Sequence, residues 1–286
     1  MTLKKAYRTM FITIIMMMLA IIFYAFGVSK LNLRWGFAGF TISAIISIGA
    51  VVFSINTIKH EKEVKKTGFF HTRRFELLDW LSFLSISLMI IFIIFSFLVL
   101  PSDVDQNSMY PTLKPQDRIL IYHFEYVPQR EDVIIIRITK EAYPLVLNSM
   151  FNEYDGSGRL IKVHSEIFFV KRVMAMPGDE ISFQATGDQY RILVNGEIIF
   201  TPDGEQYLIK HNQLLIMQND LIDGILKEGL YMTFGDNPNG FTYEDPVTQE
   251  EIEIPGSFDS RSFGAVKEEH IIGKVIFKLW PFGGVR

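Results

Sequence analysis

The first hundred residues and the remainder follow different rules of hydrophobic patterning. Met10–Val28, Trp35–Ile55 and Trp80–Leu100 are long apolar runs with few charges, each meeting the requirement of roughly 18 or more apolar residues for a helix that crosses a bilayer. Met10–Val28 contains no charged residue, and it exceeds the ~7–15-residue apolar core of a cleavable signal peptide. Trp35 and Trp80 open the second and third runs, where indole rings favour the membrane interface. Beyond residue 100 the runs shorten and become rich in β-branched and aromatic residues: Arg118–His123, Asp132–Thr139, Ile167–Met174, Glu180–Phe183, Tyr190–Val194, Glu197–Phe200, Tyr207–Lys210, Leu230–Phe234 and Ile271–Leu279. Turn residues separate them, with Asn195-Gly196 the strongest hairpin signal. Asn212–Leu226 alone has a helical rhythm. The pattern predicts three transmembrane α-helices in residues 1–100, then a mostly-β domain over 101–286. Two excursions interrupt that domain, near 140–165 and 238–255, and read as surface loops.

Charge sharpens this division. Residues 1–100 carry 11 Lys+Arg against 4 Asp+Glu (+7), and residues 101–286 carry 17 against 28 (−11), giving −4 for the chain. An acidic β-domain argues against a nucleic-acid partner, which needs clustered positive charge, whereas a basic, apolar N-terminal part points to a lipid bilayer. Lys4, Lys5 and Arg8 together with the basic loop at 56–79 (Lys59, Lys62, Lys65, Lys66, Arg73, Arg74) outnumber Lys30 and Arg34 of the intervening loop. The positive-inside rule then predicts a multi-pass protein with its N-terminus in the cytoplasm and the β-domain on the opposite, extracytoplasmic side.

Several chemistries are excluded. The chain has no Cys, so disulfides, thiolate zinc sites and a cysteine nucleophile are absent. His60, His71, His123, His164, His211 and His270 show no paired metal-ligand spacing, and no phosphate loop, H-E-x-x-H pair or G-x-S-x-G elbow occurs. The residues call for no metal and no cofactor.

Three blocks remain. Ser108-Met109-Tyr110-Pro111-Thr112-Leu113 follows the last apolar run by a few residues. Lys171-Arg172-Val173 precedes Pro177-Gly178-Asp179, and Gly235-Asp236-Asn237 precedes Ser257, Asp259, Ser260, Arg261, Gly264 and Val266. In these blocks and their order the sequence resembles the type I (leader) signal peptidase family of membrane-bound Ser-Lys proteases. The resemblance implies a β-rich catalytic domain of signal-peptidase type at a bacterial-type cytoplasmic (inner) membrane. It implies cleavage of signal peptides from exported pre-proteins through an acyl-enzyme, with signal-peptide-bearing precursors and the bilayer as partners. Ser108 is then the nucleophile and Lys171 the general base. Ser257 orients Lys171 by a hydrogen bond, and Asp259 and Arg261 form a buried pair. Gln106 stands at the oxyanion position, where it could donate to the oxyanion or obstruct it, and Met109, Tyr110 and Pro111 lie toward substrate.

The Ser-Lys assignment also has a physical rationale. A serine hydroxyl needs a neighbouring base to become nucleophilic, and a lysine with a pKa near 10.4 is almost wholly protonated at neutral pH. Burial lowers that value by penalising the ammonium, and Lys171 is flanked by Ile167-Phe168-Phe169-Val170 and Val173-Met174-Ala175-Met176. In a strand, Phe169, Lys171 and Val173 share one face.

Departures from the family pattern concern turn geometry: Glu131-Asp132 replaces a Gly-Asp pair, Ala175-Met176 replaces a glycine before Pro177, and Pro238–Gly256 is unusually long. Phe277, Trp280 and Phe282 fit an interfacial patch or hairpin packing equally well. A catalytically silent membrane protein that keeps the β-domain as a binding or assembly module is the alternative function, and a self-cleaving Ser-Lys regulator is another. The sequence is silent on oligomeric state.

Overall fold

The structure, a computed structural model, describes residues 3–26, 34–60, 69–156, 158–244 and 251–285. The chain divides into two compact units, Met1–Leu100 with His123–Glu125 and Pro101–Tyr122 with Tyr126–Arg286.

The first unit consists of helices α1 (Leu3–Ala25), α2 (Arg34–His60) and α3 (Phe69–Ile93). Lys4–Ala25, Phe37–Asn56 and Glu76–Leu98 are long and apolar enough to cross a membrane. Hydrocarbon offers hydroxyls no water as an alternative; Thr41, Ser54 and Ser87 donate to carbonyls one turn back in their own helices, and two further contacts join helices. Thr13 Oγ1 lies 2.9 Å from Ser47 Oγ, and Ser85 Oγ donates to the Ser43 carbonyl at 2.5 Å. Lys5 and Asp79 form an ion pair of 2.8 Å between α1 and α3.

Three boundaries differ from the apolar pattern. α1 stops at Ala25, and Val28 lies outside the described residues, as do Lys30, Lys62, Lys65 and Lys66. The basic stretch at 56–79 is partly helical, because α2 continues to His60 and α3 starts at Phe69. At the other end, α3 gives way to a π-helical turn, Ile94–Leu98, and Val99 and Leu100 already belong to strand β1. Apolar residues serve a membrane helix and a buried strand equally, so hydropathy alone does not locate this junction.

The second unit is built from strands β1 (Val99–Asp103), β2 (Arg118–Tyr122), β3 (Val133–Thr139), β4 (Asn152–Tyr154), β5 (Leu160–Val163), β6 (Glu166–Ala175), β7 (Ile181–Thr186), β8 (Gln189–Val194), β9 (Glu197–Ile198), β10 (Leu208–Ile209), β11 (Leu221–Ile222), β12 (Ile225–Leu226), β13 (Leu230–Phe234), β14 (Gly240–Glu244), β15 (Glu251–Pro255), β16 (Val266–Lys267) and β17 (Ile271–Trp280). Helices α4 (His211–Gln218) and α5 (Ser260–Phe263) complete it. A seven-stranded sheet runs β1-β2-β17-β3-β6-β13-β16, and a smaller sheet joins β10, β8 and β7, with β9 on β8. Every β-rich run in the sequence contains a strand. Asn195 and Gly196 both take positive φ (53° and 82°) in the β8–β9 turn, the conformation that Asn-Gly favours in a two-residue hairpin.

Two apolar cores fill the domain. Ile134, Ile136, Val173, Phe263 and Ile271 pack on one, with Tyr143, Val146 and Phe151 of the 140–165 excursion. Ile181, Ile192, Tyr207, Met217 and Phe234 form the other. The excursion is thus anchored at its root and then projects the β4–β5 hairpin. The second excursion is the β14–β15 hairpin, with residues 245–250 outside the described set. The helical stretch Asn212–Leu226 is corrected: α4 ends at Gln218, and the rest folds into the β11–β12 hairpin around Asp223-Gly224, both at positive φ. That Asp-Gly pair is a turn signature which outweighs the helical rhythm.

Ile136, fully buried, sets the scale of core energetics. Ile136→Ala will destabilise the protein by about 2–5 kcal/mol in a denaturant titration, whereas Leu215→Ala, on the half-exposed face of α4, will cost under about 0.5 kcal/mol.

Candidate active site

Four segments of the β-domain converge on Ser108. The first is the turn after β1, which carries Ser108 and buries Met109 and Leu113. The second is the middle of β6, where Lys171 pairs with Ile134 of β3. The third follows β13, whose last residue, Phe234, lies opposite Arg172 and so delivers Gly235-Asp236-Asn237 to the same place. The fourth is Ser257–Arg261, leading into α5.

Lys171 Nζ lies 2.8 Å from Ser108 Oγ. Lys171 is 2% exposed, and its ammonium sits 5.3 Å from the ring of Phe169, its neighbour on the same strand face. Burial drives its pKa down to about 8 from 10.5; Asp259 opposes the shift, Arg261 adds to it, and Asp236 opposes it.

The neighbouring residue, Arg172, is also buried but fully paired. Its Nε and Nη2 donate to the two carboxylate oxygens of Asp236 at 2.8 and 2.7 Å, and its Nη1 donates to the Glu131 carbonyl. Burial disfavours its charge, but Asp236 more than compensates and holds the pKa above normal. Asp236 Oδ2 also accepts from Thr112 Oγ1 at 2.5 Å. The carboxylate thus ties the strand that bears Lys171 to the turn that bears Ser108. The Asn237 backbone N–H donates to the Ser108 carbonyl at 3.1 Å, and its side-chain amide donates to the Asn107 carbonyl at 3.2 Å. Sequence reasoning placed Arg172, Thr112, Asp236 and Asn237 in motifs without assigning them roles. The partners are 64 to 130 positions apart, so no local spacing reveals the pairing, although a charged residue inside an apolar strand needs a partner.

Asp259 and Arg261 form a buried ion pair of 2.8 Å. Burial works against the Asp259 charge, but Arg261 holds its pKa below the usual range. Asp259 also accepts from the Gly235 N–H and caps α5 through the Arg261 N–H, and the Arg261 guanidinium lies 5.5 and 5.6 Å from the rings of Tyr207 and Phe234, which pack on each other.

Ser257 is placed beside these groups, but its Oγ is buried without a hydrogen-bond partner among the described residues. The bond to Lys171 implied by the resemblance is therefore not formed here. Ser257 instead donates its backbone N–H to the Asn237 carbonyl at 2.8 Å. That bond closes the base of the β14–β15 hairpin, which accounts for the long separation between the motifs. Met109 is 1% exposed, so its side chain packs beneath the turn; Tyr110 and Pro111 are half-buried. Gln106 is exposed on the same turn. Glu131, in place of the family glycine, takes the left-handed conformation that glycine would adopt (φ 66°). Trp280 and Phe282 are exposed, at 72% and 81%, and the Phe282 ring packs edge-on against Phe277.

A family model described as "Signal peptidase, peptidase S26" matches residues 77–241, more than half of the chain. The chain belongs to the signal peptidase family, peptidase S26. As a member of that family it is a membrane-bound serine peptidase of signal peptidase I type. Signal peptidase IB of Staphylococcus aureus strain Mu50 / ATCC 700699 is 27% identical over 228 residues, covering 72% of this chain and 91% of that protein. Signal peptidase IB of strain COL is 26% identical over the same length. Thylakoidal processing peptidase 1, chloroplastic, of Arabidopsis thaliana is 25% identical over 184 residues, covering 63% of this chain and 42% of that protein.

A Cβ on Gly235 would overlap the Ser257 hydroxyl and the Ser108 carbonyl, so Gly235→Ala will push the Ser108 turn outward. Peptidase activity will fall by about 10²-fold or more, as expected for a displacement near 1 Å, with far-ultraviolet dichroism unchanged. Conversely, Glu131→Gly relieves a left-handed L-residue and will raise stability by up to about 1 kcal/mol in thermal unfolding.

Proposed function

We propose that the protein removes signal peptides from exported precursors with Ser108 as nucleophile and Lys171 as its general base. The observation that carries this reading is the 2.8 Å approach of a fully buried lysine amine to a serine hydroxyl. With a pKa near 8, roughly a tenth of the amines are neutral at pH 7. A neutral Nζ has a lone pair to accept the Ser108 proton. Oγ then attacks the scissile carbonyl, Lys171 returns the proton to the leaving amine, and the resulting ester is hydrolysed by a water that the same amine activates. Substrate covering the site would remove residual solvent and lower the lysine pKa further.

Negative charge on the tetrahedral oxygen is met by the Ser108 backbone N–H and the Gln106 side-chain amide, two donors on one turn. Tyr110 and Pro111 flank the substrate path. Asp236 and Asn237 fix the Ser108 turn, and the Asp259–Arg261 pair sets the field around Lys171. Ser257 holds a free hydroxyl ready to take up the amine as it changes protonation state. Three spans anchor the enzyme, with the basic end cytoplasmic and the β-domain extracytoplasmic, so the precursor is cut where its signal segment leaves the bilayer. Pre-proteins and lipid are its partners, at an inner-type membrane.

Incubation of the purified full chain with a pre-protein tests the chemistry. Ser108→Ala and Lys171→Ala will abolish processing; processing by either variant at the wild-type rate would overturn the pair. The wild-type kcat/KM will rise with pH and level off above about 8, since only the neutral amine is active. Stability carries the same signature. The unfolded lysine titrates near 10.5, so the unfolded state binds more protons between pH 8 and 10.5, and the burial penalty, complete below that window, is relieved as pH rises through it. Lys171→Met will therefore raise the unfolding free energy at pH 7 by about 3 kcal/mol, from roughly 2.5 pKa units at 1.36 kcal/mol each.

Gln106→Ala will lower kcat by roughly 10²–10³. An unchanged kcat would remove Gln106 from the oxyanion site and leave the pair intact.

A further inference from the structure

Gly235 is the residue against which the Ser108 turn closes, and one of the side chains that hold Gly235 in place lies in none of the motif blocks. A Cβ on Gly235 would come within 2.3 Å of the Ser108 carbonyl oxygen and 2.2 Å of the Ser257 hydroxyl, so its Cα faces both. The Gly235 N–H donates to Asp259 Oδ2 at 3.0 Å. The Gly235 carbonyl accepts from the hydroxyl of Tyr207 at 3.2 Å. The glycine is thus held at both ends, by a carboxylate through its N–H and by a phenol through its C=O. Tyr207 is fully buried, at 0% exposure; it directly precedes β10 and packs in the core of Ile181, Ile192 and Phe234.

A buried tyrosine hydroxyl ordinarily finds some partner, so the bond alone would be no more than packing. Its place in the chain gives it a further consequence. A peptide unit is planar, so the Gly235 carbonyl and the Asp236 N–H turn together, and fixing one sets the direction in which the Asp236 side chain leaves the backbone. Asp236 is the carboxylate that holds both Arg172 and Thr112. One residue further on, the Asn237 N–H donates to the Ser108 carbonyl, and its side-chain amide donates to the Asn107 carbonyl. The Asn107 carbonyl shares a peptide plane with the Ser108 N–H, so that second bond also sets where this N–H points. The ring of Tyr207 has contacts of its own, with Phe234 at 5.1 Å and the Arg261 guanidinium at 5.5 Å. Burial, and then the carboxylates of Asp236 and Asp259, push the phenol pKa above its usual value. The hydroxyl therefore keeps its proton across the neutral range and is a permanent donor.

We propose that Tyr207 is a positioning residue for the peptidase reaction: its hydroxyl fixes the Gly235 carbonyl, and through Asp236 and Asn237 it fixes the Ser108 hydroxyl and N–H against the scissile carbonyl. The hydroxyl donates to Gly235 and not to Ser108 or Lys171, so it acts on geometry alone. The inference rests on the Ser108–Lys171 reading and extends that site to a residue of the smaller core.

Tyr207→Phe keeps the ring, and with it the contacts to Phe234 and Arg261, and deletes only the donor. Tyr143→Phe is the reference. Tyr143 is also buried, and its hydroxyl also has a partner, His270 Nδ1 at 2.8 Å, but it belongs to the core around Ile136 and makes no bond to Gly235. Both variants are made in the full chain and assayed on a pre-protein well below their unfolding midpoints. Tyr207→Phe will lower kcat by roughly tenfold, a fraction of the ~10²-fold cost of a 1 Å displacement. KM and the pH midpoint of kcat/KM will stay at their wild-type values, because the burial and charges around Lys171 are untouched. Tyr143→Phe will lose thermal stability to a similar extent and keep the wild-type kcat. A wild-type kcat in Tyr207→Phe, an equal loss in both variants, or a loss that comes with a displaced pH midpoint would each overturn the proposal. Ser108→Ala in the same assay separates this inference from the reading beneath it. Processing by Ser108→Ala would overturn Ser108 as nucleophile, whereas an inactive Ser108→Ala beside a fully active Tyr207→Phe would remove Tyr207 alone.

Discussion

For the proposed Ser108–Lys171 chemistry, the amine of Lys171 must be kept dry. Water would restore its ammonium and its ordinary basicity, and a protonated lysine beside Ser108 would have no lone pair to offer. Much of the β-domain serves this requirement. β6 threads the lysine between the apolar residues of β3 and β13, and the two polar clusters that border it are internally neutralised. Arg172 is matched by Asp236 and Arg261 by Asp259, so the site contains strong charges without an unpaired one that would draw in solvent or fix the lysine in its protonated form. Broken buried pairs of this kind are far more costly than absent ones, and for that reason the two clusters act as walls as well as fastenings.

A second constraint is positional. Ser108, Lys171 and Gly235 lie on three separate segments, and only their meeting makes the site. The fold achieves this with backbone bonds and one shared carboxylate. Asp236 holds Thr112 and Arg172 at once, Asn237 holds the Ser108 carbonyl, and Gly235 leaves room for both to close. Stability is given up at the centre, where a lysine is desolvated, and at the rim, where Glu131 takes a left-handed conformation; the cores around Ile136 and Phe234 offset both.

Much of this was legible in the residues. Membrane helices were visible because lipid demands unbroken apolar length, and strands were visible because β-branched runs alternate with turn chemistry at sites such as Asn195-Gly196. Asp223-Gly224 was read through as helix because apolar spacing was weighed above a two-residue turn signal. The end of the third span was blurred because Val99 and Leu100 suit lipid and sheet alike. Motif blocks indicated which positions matter but not how they join: the Arg172–Asp236–Thr112 bridge and the unsatisfied Ser257 hydroxyl depend on contacts between residues far apart in sequence, which no periodicity encodes.

The hydrogen bond from Ser257 N–H to the Asn237 carbonyl has a modular consequence. It seals the stem of a ribbon whose two ends meet beside Ser108, so the framework around that residue senses only where the ribbon departs and returns, never how far it extends. Evolution or an engineer can lengthen, trim or graft that arm in paired steps, and the chemistry beneath it need not be retuned.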